Sequence, residues 1–262
     1  MRRTSDQKPL LRHWSTAPTN PSLRAEEVHV WRASMDVSNS KVEELRKLLT
    51  NEEVIKGNRL QFEADRRKFI VARSYLRKLW GQYLCVHPAS ITFSYNKYGK
   101  PSLAKSINVQ NLSFSVAHSG ELALYAVTLN RKIGVDLEKI QPEFNSYEIA
   151  SSYFSASEVK RLDDVPASLR QQAFFNCWTL KEAFVKAIGL GLSLPLDRFE
   201  VAFSPDEPAR LLQTHWDEKE ASRWSLMTLE VEPGYVAALA VKGHNWELCT
   251  WDFEEDGRNY PD

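Results

Sequence analysis

The chain writes the same order of elements twice, and this repetition limits its fold more than any other feature. Residues 28 to 34 alternate as a strand does. Ser40 with Glu43 forms a capping box ahead of Val42, Leu45, Leu48 and Leu49, which share one helical face. Asp65 is placed to cap a longer helix in which Phe69, Ala72, Leu76, Leu79 and Tyr83 recur at three- and four-residue steps, ending near Val86-His87-Pro88. Then come Ile91 to Tyr95, a turn from Asn96 to Pro101, and a hairpin of Leu112 to Ala117 with Leu122 to Leu129. From Ile133 the series restarts with a strand to Glu138, helical segments from about 145 and a long helix from about Pro166 to Ile188, stopped by Gly189. A strand from Phe199 to Phe203 and a hairpin of Trp224 to Glu230 with Tyr235 to Val241 complete it.

Each half thus reads strand, helices, strand, hairpin. The expected fold class is α+β: a pseudo-dimer of two similar α+β halves, each a small sheet packed on a long helix, with any shared site in the cleft between them. The expected division is a flexible tail over 1–26, a first half over 27–130 and a second over 131–262. With 262 residues, 43% of them hydrophobic, there is enough apolar material for both cores. Lys and Arg number 34, as do Asp and Glu, so the overall charge argues against a protein that coats nucleic acid or an anionic membrane. Cys85, Cys177 and Cys249 lie far apart without CxxC spacing, which favours a reducing cytoplasm over a disulfide framework. No window approaches the ~18 apolar residues of a membrane helix. Residues 1 to about 25 carry five basic residues and one acid, which leaves an organelle-targeting role open beside a plain disordered terminus.

Three places carry chemistry. In Gly134-Val135-Asp136-Leu137-Glu138, strand alternation sends Asp136 and Glu138 to one side, their backbones roughly 7 Å apart. Two carboxylates so close suit a hard cation such as Mg²⁺, which commonly shares one or two carboxylates with substrate phosphates. In Trp178-Thr179-Leu180-Lys181-Glu182-Ala183-Phe184-Val185-Lys186, Glu182 and Lys186 lie four residues apart on one helical face, so a third carboxylate and a cation for a phosphate oxygen stand together. From Lys56 to Lys78 eight positives face two acids, a local excess suited to a polyanion. Lys100 and His118, at loop ends, could add phosphate contacts. Taken singly, each of these also fits a solvated face or a structural hydrogen bond. GxGxxG, GxxxxGK[ST], HExxH and GxSxG are missing, so dinucleotide, P-loop, zinc-protease and α/β-hydrolase chemistries have no foothold.

The combination of Gly99-Lys100-Pro101, Phe114 to Gly120, Gly134 to Lys139, and Trp178 to Lys186 followed by Gly191 to Leu196 resembles the 4′-phosphopantetheinyl transferase superfamily, in its larger, pseudo-dimeric surfactin-synthetase-activator type. The resemblance covers roughly residues 28 to 250, and the joint occurrence of GVDLE and WTLKEAFVK makes it specific. It implies transfer of the phosphopantetheine arm of coenzyme A to a serine of an apo acyl or peptidyl carrier protein, with release of adenosine 3′,5′-bisphosphate. By motif match, Asp136, Glu138 and Glu182 would hold Mg²⁺ against the pyrophosphate, and Lys186 would stabilise charge on the leaving phosphate. Glu182 would also be the base for the serine, directly or through a water. The resemblance places Lys56, Arg67 and Lys68 near the 3′-phosphate, with Lys100, His118 and Asp136 along the rest of the coenzyme. Many members have serine where this chain has Ala117, and Ser119 could replace that hydroxyl.

The implied partners are coenzyme A and a carrier protein, in a monomer with internal pseudo-two-fold symmetry. The resemblance implies a carrier that is acidic around its serine, so a basic or apolar docking surface should flank the cleft, with Phe144 and Tyr147 as apolar candidates. Two other readings stay open: a non-catalytic module that binds a nucleotide or carrier protein, and a magnesium-dependent nuclease, which neutral overall charge disfavours.

Overall fold

The computed structural model describes residues 14–253, apart from 19, 142, 205 and 206. Strand β1 (Ser15–Thr16) precedes β2 (Glu27–Ser34), which leads through the short helices α1 (Asn39–Arg46) and α2 (Asn51–Asn58) into the long helix α3 (Glu63–Leu84). Strands β3 (Phe93–Tyr95), β4 (Pro101–Leu103), β5 (Leu112–Ser119) and β6 (Leu122–Leu129) follow. The second series runs β7 (Ile133–Lys139), α4 (Ser146–Tyr153), α5 (Ala156–Asp164), α6 (Ala167–Ile188), β8 (Phe199–Ala202), β9 (Arg210–Thr214), β10 (Trp224–Leu229), β11 (Tyr235–Lys242) and β12 (Glu247–Asp252). The α+β class and the paired long helices agree with the sequence reading.

Two sheets lie face to face, each backed by its helix. Val71, Leu76 and Leu79 of α3 bury Trp31, Ala33 and Tyr125 of the first sheet, ordered β1-β12-β2-β6-β5. Phe184, Val185 and Ala183 of α6 cover Ala238 and Ala240 of the second, ordered β10-β11-β7. Between the sheets, Val28, Val30 and Leu124 meet Ile133, Val135 and Leu137. Strand alternation makes this possible, because it turns the odd-numbered residues of β7 inward and leaves Gly134, Asp136 and Glu138 on the α6 side. Serine side chains stitch the two sheets along the seam of β5 and β7. Ser115 Oγ accepts from the Val135 N–H at 3.1 Å and Ser119 Oγ from the Lys139 N–H at 3.0 Å.

Gly134 has a packing reason. A Cβ added there would lie 1.9 Å from the Ala183 carbonyl oxygen and 2.5 Å from the Ala187 nitrogen, both backbone atoms of α6. Only a residue without a side chain lets the helix rest on β7. Gly134→Ala is expected to cost about 3 kcal/mol or more, lowering the melting temperature by roughly 6–12 °C; an unshifted melting curve would show that α6 does not press on β7.

Several local expectations change. The helix assigned to the Ser40/Glu43 box is capped by Ser38, whose Oγ accepts from the Lys41 N–H, and Ser40 sits inside the first turn. The capping box in this region belongs to Thr50 and Glu53, which open α2. Asp65 lies in the first turn of α3 rather than capping it, since the helix starts at Glu63 and Phe62 occupies the cap. The boundary at residue 26 does not mark the end of a flexible tail. Residues 1–13 fall outside the described residues, but Ser15 and Thr16 pair with Trp251 and Asp252, Ala17 is buried, and the Trp14 indole donates to the Glu230 carbonyl. Nor does the chain beyond 131 stay in one half, because β12 returns to the first sheet and runs parallel to β2.

Candidate active site

The acids of β7 reach the face of α6 that carries Trp178, Glu182 and Lys186. Asp136 is buried, and its Oδ1 accepts from Lys186 Nζ at 2.7 Å. Its Oδ2 is buried without a hydrogen-bond partner. Burial pushes the Asp136 carboxyl above its ordinary range, and Lys186 only partly offsets this. Glu138 accepts from Ser119 Oγ at 3.0 Å and from the Trp178 side chain, yet burial and the charge of Asp136 raise it too. Glu182 is raised first by burial, then by Asp136, with Glu138 adding and Lys186 opposing. Two elements distant in sequence therefore bring three carboxyls into one another's electrostatic field.

The three carboxyls stop short of a closed cluster. Their oxygens do not gather within 4.8 Å of one another, as the donor atoms of Glu27, His29 and Cys249 do among the described residues. Lys186 contacts Asp136 directly and acts on Glu138 and Glu182 only through its charge. The residues nevertheless fit a divalent cation. An unpartnered buried carboxylate oxygen is costly unless something positive meets it, and an all-carboxylate donor set suits Mg²⁺.

Two cavities reach this region, one at Lys186 and the other at Glu182, and Asp136 and Glu138 line neither. One, of about 330 Å³, is lined by Lys100, Pro101, Phe114, His118, Lys186 and Gly189 among others. The other, of about 680 Å³, is walled by Phe144, Tyr153, Trp178, Glu182, Val185 and Leu194 among others. A further cavity of about 630 Å³, beside Trp14, Phe203 and Tyr235, includes none of the acids.

The basic residues divide. His118, at the end of β5, is held below its ordinary range by burial and by the charges of Lys186 and Lys68, so those three groups share one region. Lys68 is ion-paired with Glu121 at 3.2 Å. Lys100 lines the first cavity, but its ammonium donates to the carbonyls of Ile133 at 3.0 Å, Lys186 at 2.6 Å and Ala187 at 3.4 Å. Those bonds use all three of its protons and clamp the C-terminal end of α6, where a cation is favoured. Burial and nearby Lys132 push Lys100 down to about 8, which leaves it charged at neutral pH. A phosphate contact by Lys100 would therefore have to displace one of these carbonyls. Arg67 donates to Asn39 at 2.6 Å, and Lys56 stands over the rings of Phe69 and Tyr95; neither lines the first cavity. Arg77 is buried on Glu53 and on the carbonyls of Pro88 and Ile91. Much of the basic excess thus serves the fold of the first half.

Three residues here have roles that the spacing alone did not assign. Ser119 binds Glu138 and the Lys139 N–H, so its hydroxyl is already engaged. Trp178 supports Glu138 from α6. Lys181, one residue before Glu182, points away from the site into a fully buried ion pair with Glu158 at 2.7 Å. Helical phase gave the signal for Lys181, since it lies about 100° around the helix from Glu182.

A carboxylate cluster with its own lysine, with one cavity at Lys186 and another at Glu182, suits an enzyme that moves a phosphate-bearing group from one ligand to another. Known proteins agree. A family model described as 4′-phosphopantetheinyl transferase, N-terminal, matches residues 31–130, and one described as the 4′-phosphopantetheinyl transferase superfamily matches residues 132–240. The 4′-phosphopantetheinyl transferase HetI of Nostoc sp. is 37% identical over 93% of this chain and 100% of its own length. A putative 4′-phosphopantetheinyl transferase of Synechocystis sp. is 32% identical, covering 78% of this chain and 79% of its own. The Sfp transferase of Bacillus subtilis is 29% identical over 78% and 86%. The chain belongs to the 4′-phosphopantetheinyl transferase superfamily, whose members use coenzyme A and act on carrier proteins.

Proposed function

We propose that this chain moves the phosphopantetheine arm of coenzyme A onto a serine of an apo acyl or peptidyl carrier protein, with Asp136, Glu138 and Glu182 holding Mg²⁺. The grouping of the three acids with Lys186, with one cavity at Lys186 and another at Glu182, carries this reading, because the reaction must bring two large ligands to one phosphorus. Coenzyme A fits the His118 and Lys186 side, where positive groups collect, and the carrier serine enters from the apolar groove of Phe144, Tyr153 and Trp178. Tyr147, on the same helix as Tyr153, has 54% of its surface exposed.

The serine oxygen forms a bond to the phosphorus that bears the pantetheine arm. The bond from that phosphorus to the bridging oxygen breaks, and adenosine 3′,5′-bisphosphate leaves. Glu182 takes the serine proton, and its raised affinity for protons suits a base working near neutral pH. Lys186, whose side chain is 33% exposed, stabilises negative charge on the leaving phosphate. When bound, Mg²⁺ supplies charge neutralisation on the phosphate oxygens. His118 and Lys68 bind phosphate oxygens of the nucleotide, with Lys68 exchanging Glu121 for the ligand. For Lys56 and Arg67 the same role requires them to leave their ring and Asn39 contacts.

We infer a monomer, since both halves of the cleft come from one chain, and a cytoplasmic enzyme with neither nucleic acid nor membrane as partner. The balanced charge supports this, and no described helix is long and apolar enough to cross a membrane. Incubation with coenzyme A, Mg²⁺ and apo carrier proteins should add the mass of one phosphopantetheine to a carrier. A panel of acyl and peptidyl carriers that all stay unmodified, with coenzyme A binding intact in EDTA, would instead mark a binding module.

A further inference from the structure

A second group of ligating side chains lies in the first sheet, on the face that α3 covers. Glu27 and His29 stand two residues apart on β2 and so share a face, and the parallel register places Cys249 of β12 beside His29. One oxygen, one ring nitrogen and the sulfur of these residues lie within 4.8 Å of one another. From this juxtaposition we propose that Glu27, His29 and Cys249 form a binding site for a borderline-soft divalent ion, Zn²⁺, separate from the carboxylate cluster.

The donor set decides the class of ion. Mg²⁺ takes hard oxygens, whereas a thiolate and an imidazole together select Zn²⁺ or its neighbours among the transition metals. Zinc bonds of about 2.0–2.3 Å in a tetrahedral arrangement put donor atoms roughly 3.5 Å apart, so the three need to close by only about 1 Å.

The surroundings already orient the ligands as outer-shell partners do. Tyr83, in the last turn of α3, contacts His29 Nδ1 at 2.7 Å while accepting from the Trp31 indole at 3.0 Å. Nε2 faces Glu27 Oε2 at 3.4 Å, so a Zn²⁺ ion between them would bind His29 through Nε2. His29 would then stay neutral with its ring proton on Nδ1, towards the Tyr83 oxygen, and the thiol proton of Cys249 would be released to solvent. Arg24 holds Glu27 Oε1 through its side chain at 2.8 Å and Oε2 through its backbone N–H at 2.8 Å. His29 and Glu27 are buried, while Cys249 is partly accessible and gives the ion an entry path. Bound there, the ion would tie the returning strand β12 to β2, across most of the chain.

Co²⁺, titrated into the reduced full chain with excess Mg²⁺ occupying the hard-oxygen site, is the direct probe. The proposal predicts one Co²⁺ per chain with a thiolate-to-cobalt charge-transfer band. Cys249→Ser should abolish the band, His29→Gln should lower the affinity by about tenfold or more, and Zn²⁺ should displace the Co²⁺. In unaltered protein, Zn²⁺ should also slow alkylation of Cys249 relative to exposed Cys85, a readout that needs no variant to fold. No thiolate band at saturating Co²⁺, a band that survives in folded Cys249→Ser, or alkylation of Cys249 indifferent to Zn²⁺ would each overturn the assignment.

Discussion

Glu182→Gln is expected to lower carrier modification by about 10³-fold, the scale of a lost general base, while coenzyme A still binds within a few fold of the unaltered protein. Gln keeps the length and shape of the side chain, so α6 and the groove it lines stay in place. What disappears is a carboxylate that can accept the serine proton and share a cation with β7. The split between chemistry and binding follows from position: Glu182 lines the apolar groove proposed for the carrier, whereas His118 and Lys186 line the other cavity. Single-turnover transfer followed by mass, alongside coenzyme A binding by calorimetry, separates the two. Turnover undiminished in this variant would remove Glu182 from the reaction, and equal loss of binding would move it to the nucleotide side.

The largest effect on stability is expected one residue earlier. Lys181 and Glu158 are fully buried, and nearly every polar atom of the pair has a partner. Lys181 Nζ donates to Glu158 and to the carbonyls of Leu196 and Phe199, while Glu158 accepts from the backbone N–H groups of Ser155 and Val201. The pair thus joins α5, α6 and the entry to β8 in one network. Lys181→Met would leave a buried carboxylate unpaired at a cost of about 3–5 kcal/mol, lowering the melting temperature on the order of 10 °C. Adding Glu158→Leu should recover part of the loss by removing the orphaned charge. Recovery stays incomplete because two carbonyls and two N–H groups lose their partners. A single Lys181→Met variant that melts with the unaltered protein would refute the network.

These two neighbours show how far the sequence could be read. Alternation in β7 and the four-residue step from Glu182 to Lys186 are local patterns, and they delivered the acids and the lysine to one region. Helical phase turns Lys181 away from the Glu182 face, but its companion Glu158 lies on another helix, so nothing local names the partner. Strand β12 was missed for a similar reason: parallel pairing with β2 depends on a partner more than 200 residues away and has no turn to announce it. Ser38 and Ser40 both precede the same apolar period, and only hydrogen-bond geometry shows that Ser38 is the cap. The basic stretch misled by composition. A charge count cannot separate Arg77, buried on Glu53, from Lys68, whose charge is felt at His118.

The central claim is that three carboxyls share one divalent ion, and a Mn²⁺ titration followed by electron paramagnetic resonance tests it most directly. Asp136, Glu138 and Glu182 all hold protons above their ordinary range, and an ion must displace those protons. Each such carboxyl contributes folded-state stability below its unfolded-state pKa and loses it as pH rises through the folded value. An ion bound to the ionised acids restores stability at neutral pH, and its affinity falls as pH drops into the raised range. The account predicts one Mn²⁺ per chain, weaker binding at lower pH, and at least about tenfold weaker binding in Asp136→Asn, Glu138→Gln and Glu182→Gln alike. Unaltered Mn²⁺ affinity in any one of these folded variants would contradict it.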